Sequence, residues 1–199
     1  MQALKERIVR EAEVLPGSII KVDGFLNHRV DCAFMGELAD AFSQIFDLDQ
    51  VDLILTAEAS GIALASICAF RWGKPMIFAK KAKSDNIEGG LFKSEIMSYT
   101  YHRKTTLLVS KQWLQPGTRV LIIDDFMARG EAVRGLCELV EQAEAELMGV
   151  GIAIEKRFQG GGDRLRNMGI NYHALAVIES AEPGRITFCE DSCPRAARP

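Results

Sequence analysis

Arg119-Val120-Leu121-Ile122-Ile123-Asp124-Asp125-Phe126-Met127-Ala128-Arg129-Gly130-Glu131-Ala132 is the stretch on which the reading of this chain turns. After Arg119, residues 120–123 form an apolar run too short for a helix and suited to a strand buried on both faces. Two adjacent carboxylates follow at its carboxyl edge, then a turn of small residues, then helical periodicity over residues 131–143. In open α/β sheets ligands collect beyond the carboxyl ends of the strands. The turn over residues 128–132 aims backbone N–H groups and the positive end of a helix dipole at one point, which suits a phosphate monoester. Gly130 permits close approach of that backbone.

The flanking sequence repeats the strand, turn and helix pattern. Residues 51–56 read as a buried parallel strand, Glu58-Ala59-Ser60-Gly61 as a turn, residues 62–71 as a helix and residues 75–79 as the next strand, a right-handed βαβ unit. Residues 147–155 and 172–180 read as strands, with a short helix over 163–168 between them. Near the N-terminus, residues 1–13 and 33–46 have helical spacing and residues 18–22 a short strand that ends at Asp23-Gly24. Residues 80–104, with five lysines and a Gly89-Gly90 pair, break the pattern and are expected to be a long irregular loop. Residues 105–110 return to strand character. The expected class is α/β, a mostly parallel central sheet flanked by helices, in one domain spanning residues 1–199.

Bulk properties narrow the function. A hydrophobic fraction of 48% and a charged fraction of 26% are those of a globular protein, and the net charge of −3 leaves no basic footprint for nucleic acid. No apolar stretch approaches the roughly 20 residues of a membrane span, and the N-terminus lacks the pattern of a signal peptide. Five cysteines at scattered positions, with only Cys189 and Cys193 close together, read as idle thiols in a reducing compartment. A cytoplasmic protein is expected. The G-x-G-x-x-G of a dinucleotide site is missing after residues 51–56.

Four apolar residues, two acids, two apolar residues and then small-x-Gly-x-small resemble the signature of the type I phosphoribosyltransferases. That resemblance implies the family fold, with a small hood subdomain, built here from about residues 1–35 and the C-terminal part, and a flexible lid over about residues 80–104. It implies that Ala128, Arg129, Gly130, Glu131 and Ala132 hold the 5′-phosphate of phosphoribosyl pyrophosphate (PRPP), with Asp124 and Asp125 as the catalytic pair on the ribose hydroxyls. Glu58, Ala59, Ser60 and Gly61 stand where the family places its pyrophosphate loop, and Ser98-Tyr99 resembles a pair used near the pyrophosphate in some branches. Magnesium would enter with PRPP, without a site made by the protein alone. Arg129 departs from the small or polar residue usual at its position. Ala128 stands where the hypoxanthine-guanine branch has an acid.

Met1-Gln2-Ala3-Leu4-Lys5, residues 21–28 and Ile154-Glu155-Lys156-Arg157-Phe158-Gln159 resemble the bacterial xanthine-specific branch of the family. By that resemblance Ile20 and Asn27 form the hood over the base and Lys156 reaches it from the other side. Phe158 is placed to stack on the ring. Transfer of the phosphoribosyl group to N9 of xanthine is the implied reaction, with guanine, hypoxanthine or adenine as the alternative acceptor, and relatives commonly pair as homodimers. A PRPP-sensing regulator is the alternative of another class, disfavoured because the pattern begins almost at Met1 and the charge is acidic.

Overall fold

In the computed structural model, which describes residues 1–81, 90–98 and 103–189, the chain begins with α1 (Gln2–Glu11), β1 (Glu13–Leu15) and β2 (Ile19–Lys21). A π-helical turn (Asp23–Asn27) leads to α2 (Cys32–Ser43). Then come β3 (Leu53–Ala57), α3 (Ser60–Trp72), β4 (Met76–Ala79), β5 (Leu91–Ser98) and β6 (Arg103–Ser110). The last part holds β7 (Arg119–Met127), α4 (Glu131–Gln142), β8 (Glu146–Lys156), α5 (Gly161–Asn167), β9 (Tyr172–Glu182) and β10 (Arg185–Phe188). Six strands make one sheet in the order β10-β9-β8-β7-β3-β4, parallel except for β10 at its edge.

Alternation along the central strands sorts the helices onto two faces. Ile54, Leu121, Ile123 and Ile154 pack with the helices α1, α2 and α3. Leu53, Leu55, Val120, Ile122, Val150 and Ile152 pack with α4 and α5. Both faces are covered, which is why these strands read as unbroken apolar runs. On β8, glycine leaves room for the aromatic rings of the segment that begins in α2. A Cβ on Gly149 would lie 2.6 Å from Phe46, and one on Gly151 would lie 3.0 Å from both Phe42 and Phe46. Rings of this kind contribute on the order of 1.5–3 kcal/mol each when fully buried. The side chain of Asp31 caps α2 by accepting from Phe34 N at 3.1 Å, and Arg7 pairs with Asp31 at 2.8 Å.

The expectation of an irregular segment over residues 80–104 is corrected by the structure. Residues 91–98 pair with 103–110 as an antiparallel hairpin, fastened to the end of β4 by two hydrogen bonds of 2.9 Å between Lys80 and Leu108. Residues 82–89 and 99–102, with Tyr99 among them, lie outside the described residues. The hairpin lies across α4 where Gly135 carries no side chain, since a Cβ there would meet Ile96 at 2.5 Å. Ser94 Oγ donates to Glu138 at 2.6 Å, Arg134 donates to Glu95 O at 2.8 Å, and Gln142 exchanges two hydrogen bonds with the Lys93 backbone. Ser94 is buried between exposed Lys93 and Glu95, so the strand alternates, but with a polar residue on its inner face.

The carboxyl end of β8 holds a buried charge. Glu155 is fully buried and accepts from Arg166 at 3.2 and 2.7 Å and from the Tyr172 hydroxyl at 3.0 Å. Burial, followed by the Glu155 charge, pushes the Tyr172 phenol well above its usual range. Gly162 completes the packing, because a Cβ there would lie 2.1 Å from Glu155 Oε1. Removing one partner of a buried pair costs more than the pair contributes, since the remaining charge stays desolvated. Glu155→Ala is therefore expected to lower unfolding free energy by about 3 kcal/mol, read as a fall in urea midpoint at unchanged slope. A midpoint equal to the parent's would contradict this account of the β8–α5 junction.

Candidate active site

β7 carries the acidic pair as its own last turns of strand, continuing to Met127, so both carboxylates are held by sheet backbone rather than by a loop. Asp124 and Asp125 are buried. Asp125 N donates to Asp124 Oδ1 at 3.0 Å, and Ser60 Oγ donates to Asp125 Oδ1 at 2.9 Å. Burial, and after it the charge of Asp125, raises Asp124 well above the usual carboxylate range. A cation or a set of donors arriving at the pair would relieve this cost on Asp124.

The turn between β3 and α3 closes over this pair. Glu58 is joined to β4, its N–H donating to Ala79 O at 3.0 Å and its carboxylate accepting from Lys81 N. The Glu58–Ala59 peptide is cis, and Ala59 and Ser60 are exposed. Gly61 lies directly against the acidic pair. A Cβ on it would be 2.1 Å from Asp124 Oδ1 and 2.2 Å from Thr56 Oγ1. No side chain fits there without moving one of these oxygens. Ser60, read from the sequence as a diphosphate contact, thus spends its hydroxyl proton on Asp125, and the donors that the turn offers to an incoming anion are backbone N–H groups.

Residues 128–132 form the turn between β7 and α4. Gly130 caps the helix with φ of +80°, a left-handed conformation that favours glycine, and Glu131 and Ala132 begin the helix. First-turn N–H groups have no acceptor within their own helix and are free for an anion. α5 supports the turn from behind. Gly161 N donates to Ala128 O at 3.2 Å, Arg164 donates to Arg129 O, and a Cβ on Gly161 would strike Ala128 O at 2.5 Å. The side chain of Arg129 is exposed and borders a cavity of about 340 Å³ between α4 and α5.

The residues read as base contacts are brought together only in part. Lys156 ends β8, half-buried, with Nζ 3.5 Å from Ser18 O and 5.4 Å from the centre of the Phe126 ring. Burial lowers the pKa of its ammonium. Ile20 is on β2, close in sequence to Ser18, but its side chain is buried in the core. Asn27 is half-buried at the end of the π-helical turn and Phe158 is 42% exposed. Among the described residues no hydrogen bond or ring contact joins Asn27 or Phe158 to Lys156. Phe126 was not singled out by the sequence reading, although its place between the acidic pair and the phosphate turn was a usable signal. Gly61 is read from the sequence as part of the diphosphate turn, but its approach to Asp124, like that of Thr56, has no local signal, because only the tertiary packing creates it.

Among the described residues no group of three or more His, Cys, Asp or Glu side chains is arranged to hold a metal. The two carboxylates are hard oxygen donors of the kind that take magnesium through water together with substrate phosphates.

Residues 32–164 match the phosphoribosyl transferase domain. A xanthine phosphoribosyltransferase from Lachnoclostridium phytofermentans is 46% identical over 193 residues, covering 96% of this chain and all of the relative. One from Clostridioides difficile is 45% identical over 189 residues, covering 94% of this chain and all of that relative. Among solved structures, adenine phosphoribosyltransferase from Thermoanaerobacter pseudethanolicus superposes with a TM-score of 0.70 at 20% identity, over 87% of this chain and 98% of the other. The enzyme of the same name from Saccharomyces cerevisiae gives 0.71 at 21% identity, over 88% and 99%. These structural neighbours establish the shared fold. With the domain match and the full-length relatives, they show that the chain belongs to the phosphoribosyltransferase family.

Proposed function

We propose that the protein transfers the 5-phosphoribosyl group of PRPP to N9 of xanthine, giving xanthosine 5′-monophosphate and pyrophosphate. The observation that carries this reading is the convergence of three elements at one sheet edge. The buried acidic pair, the β3–α3 turn keyed to it through Ser60 and Gly61, and the helix-capped turn over residues 128–132 offer places for a sugar, a diphosphate and a phosphate. Xanthine is favoured by the full-length relatives that bear that name.

Residues 128–132 hold the 5′-phosphate on their N–H groups, and residues 58–61 receive the diphosphate. Asp124 and Asp125 take the ribose hydroxyls and stabilise the positive charge that develops on the ring as pyrophosphate leaves C1. The acidic pair would meet magnesium through water together with PRPP, and the ion would neutralise charge on the leaving group. N9 of the base attacks from the opposite face as the C1–O bond to pyrophosphate breaks, the base's proton passing to the released pyrophosphate or to solvent, so the anomeric centre inverts. No covalent enzyme intermediate is needed, and the rate gain comes from positioning and fixed charge.

Lys156 donates to the 6-oxo group, which gives a half-buried ammonium the partner its desolvation demands. The face of Phe126 beneath it shares the burden by cation–π attraction. Asn27 meets the 2-oxo group, Ile20 contributes from the hood and Phe158 closes on the ring once the base is bound. The hood of about residues 1–35 is joined to the C-terminal strands through Ser18 Oγ, which donates to Ala181 O at 3.0 Å. Residues 1–199 act as one domain. Among the described residues Cys32, Cys68, Cys137 and Cys189 are free thiols, which fits a reducing cytoplasm. A homodimer, as the family resemblance implies, belongs to this reading.

A panel of bases with magnesium and PRPP tests the assignment. Xanthine is expected to turn over faster than guanine, hypoxanthine and adenine, and faster turnover of another base would overturn the reading of Lys156 and Asn27. Asp125→Asn is expected to keep the fold by circular dichroism and lose about a hundredfold in kcat; full activity would remove the acidic pair from the chemistry. Lys156→Ala is expected to raise KM for the base about tenfold, the worth of a hydrogen bond from a charged donor, with KM for PRPP unchanged. A change in the PRPP constant alone would place Lys156 elsewhere.

A further inference from the structure

Thr56 has no part in the mechanism above, yet it is the polar residue among the apolar ones of β3 and is fully buried. Its Oγ1 has no hydrogen-bond partner. A β-branched apolar residue would serve a buried central strand at least as well, because a lone buried hydroxyl is desolvated without return. The direction of the hydroxyl supplies a reason for its presence. The Cβ position on Gly61 lies 2.2 Å from Thr56 Oγ1 and 2.1 Å from Asp124 Oδ1, so both oxygens crowd into the space that a side chain at residue 61 would take. Asp125 already receives a hydroxyl from this part of the chain, through Ser60. Thr56 stands in the matching position for Asp124.

We propose that Thr56 is a positioning residue for phosphoribosyl transfer: with PRPP bound, its hydroxyl donates to Oδ1 of Asp124 and fixes that carboxylate against the ribose. This rests on the reading of Asp124 as a ribose contact. Both oxygens lie close to one point, so a small shift of the Asp124 carboxylate toward the hydroxyl brings them into bonding range without backbone movement. Donation to an ionised carboxylate is stronger than donation between neutral groups, which concentrates the effect in the loaded state. The acidic pair then has one hydroxyl per carboxylate, Thr56 from the end of β3 and Ser60 from the start of α3, on either side of the turn read for the leaving group.

The test compares the parent enzyme with Thr56→Val and Thr56→Ser in PRPP titration calorimetry, steady-state kinetics and thermal melting. Thr56→Val is expected to melt at or above the parent temperature while kcat/KM for PRPP falls about tenfold and KM for the base stays unchanged. Thr56→Ser is expected to restore most of the loss. PRPP kinetics in Thr56→Val equal to the parent's, or equal impairment in both variants, would overturn the proposal by assigning the position to packing. Activity lost in proportion to melting temperature would do the same. A parent enzyme that binds no PRPP would take down the ribose-site reading and this proposal with it, whereas normal parent binding with an unaffected valine variant removes this proposal alone.

Discussion

Close approach of α3 to the end of β7 is the constraint around which the site is arranged. Two carboxylates on adjacent residues of a central strand are costly unless donors surround them. Here the surrounding groups come from the β3–α3 connection, whose Ser60 hydroxyl reaches Asp125 and whose Gly61 lies against Asp124. Because residue 61 has no side chain, the helix start and the strand end can share one small volume. The same approach ties the turn over residues 58–61 to the carboxylates, so the elements proposed for the diphosphate and for the sugar are fixed to each other. Separation of leaving group and developing cation then occurs between elements whose distance is set by packing.

The phosphate turn is supported in an equivalent way from the other side. Gly161 packs on the backbone of residues 128–130, Gly162 on the buried Glu155 carboxylate, and Arg166 and Tyr172 hold that carboxylate in place. Glu155 immediately precedes Lys156 on β8, so the strand end that supports the turn over residues 128–132 also presents the cation proposed for the base. α4 continues the connection to the β5–β6 hairpin through Arg134 and Glu138. The glycines here serve as contact surfaces, sites where backbone meets a carboxylate or another backbone more closely than any Cβ allows.

The order of strands and helices was legible because buried parallel strands announce themselves as apolar runs, and β3, β7, β8 and β9 all do so. The acidic pair and the phosphate turn were legible because their chemistry is concentrated in consecutive residues. The hairpin was hidden, since its inner face carries Ser94 where a hydrophobic residue would have completed the alternation. Gly61, Thr56 and Glu155 gain their meaning from residues 63, 68 and 11 positions away in sequence, a relation no local pattern encodes. The hood residues sit between these cases: Lys156 is read from the resemblance of residues 154–159 to the xanthine-specific branch, while the burial of Ile20 depends on β2 facing the core.

Gly61→Ala tests the central claim most directly, because it adds one methyl group at the point where α3, β3 and β7 meet. The account expects helical content by circular dichroism to be retained and kcat/KM for PRPP to fall about a hundredfold, the order lost when a preorganised charge is displaced. An alanine variant with the parent's PRPP kinetics would show that the Asp124 carboxylate can move freely, and would contradict the arrangement on which the site reading depends.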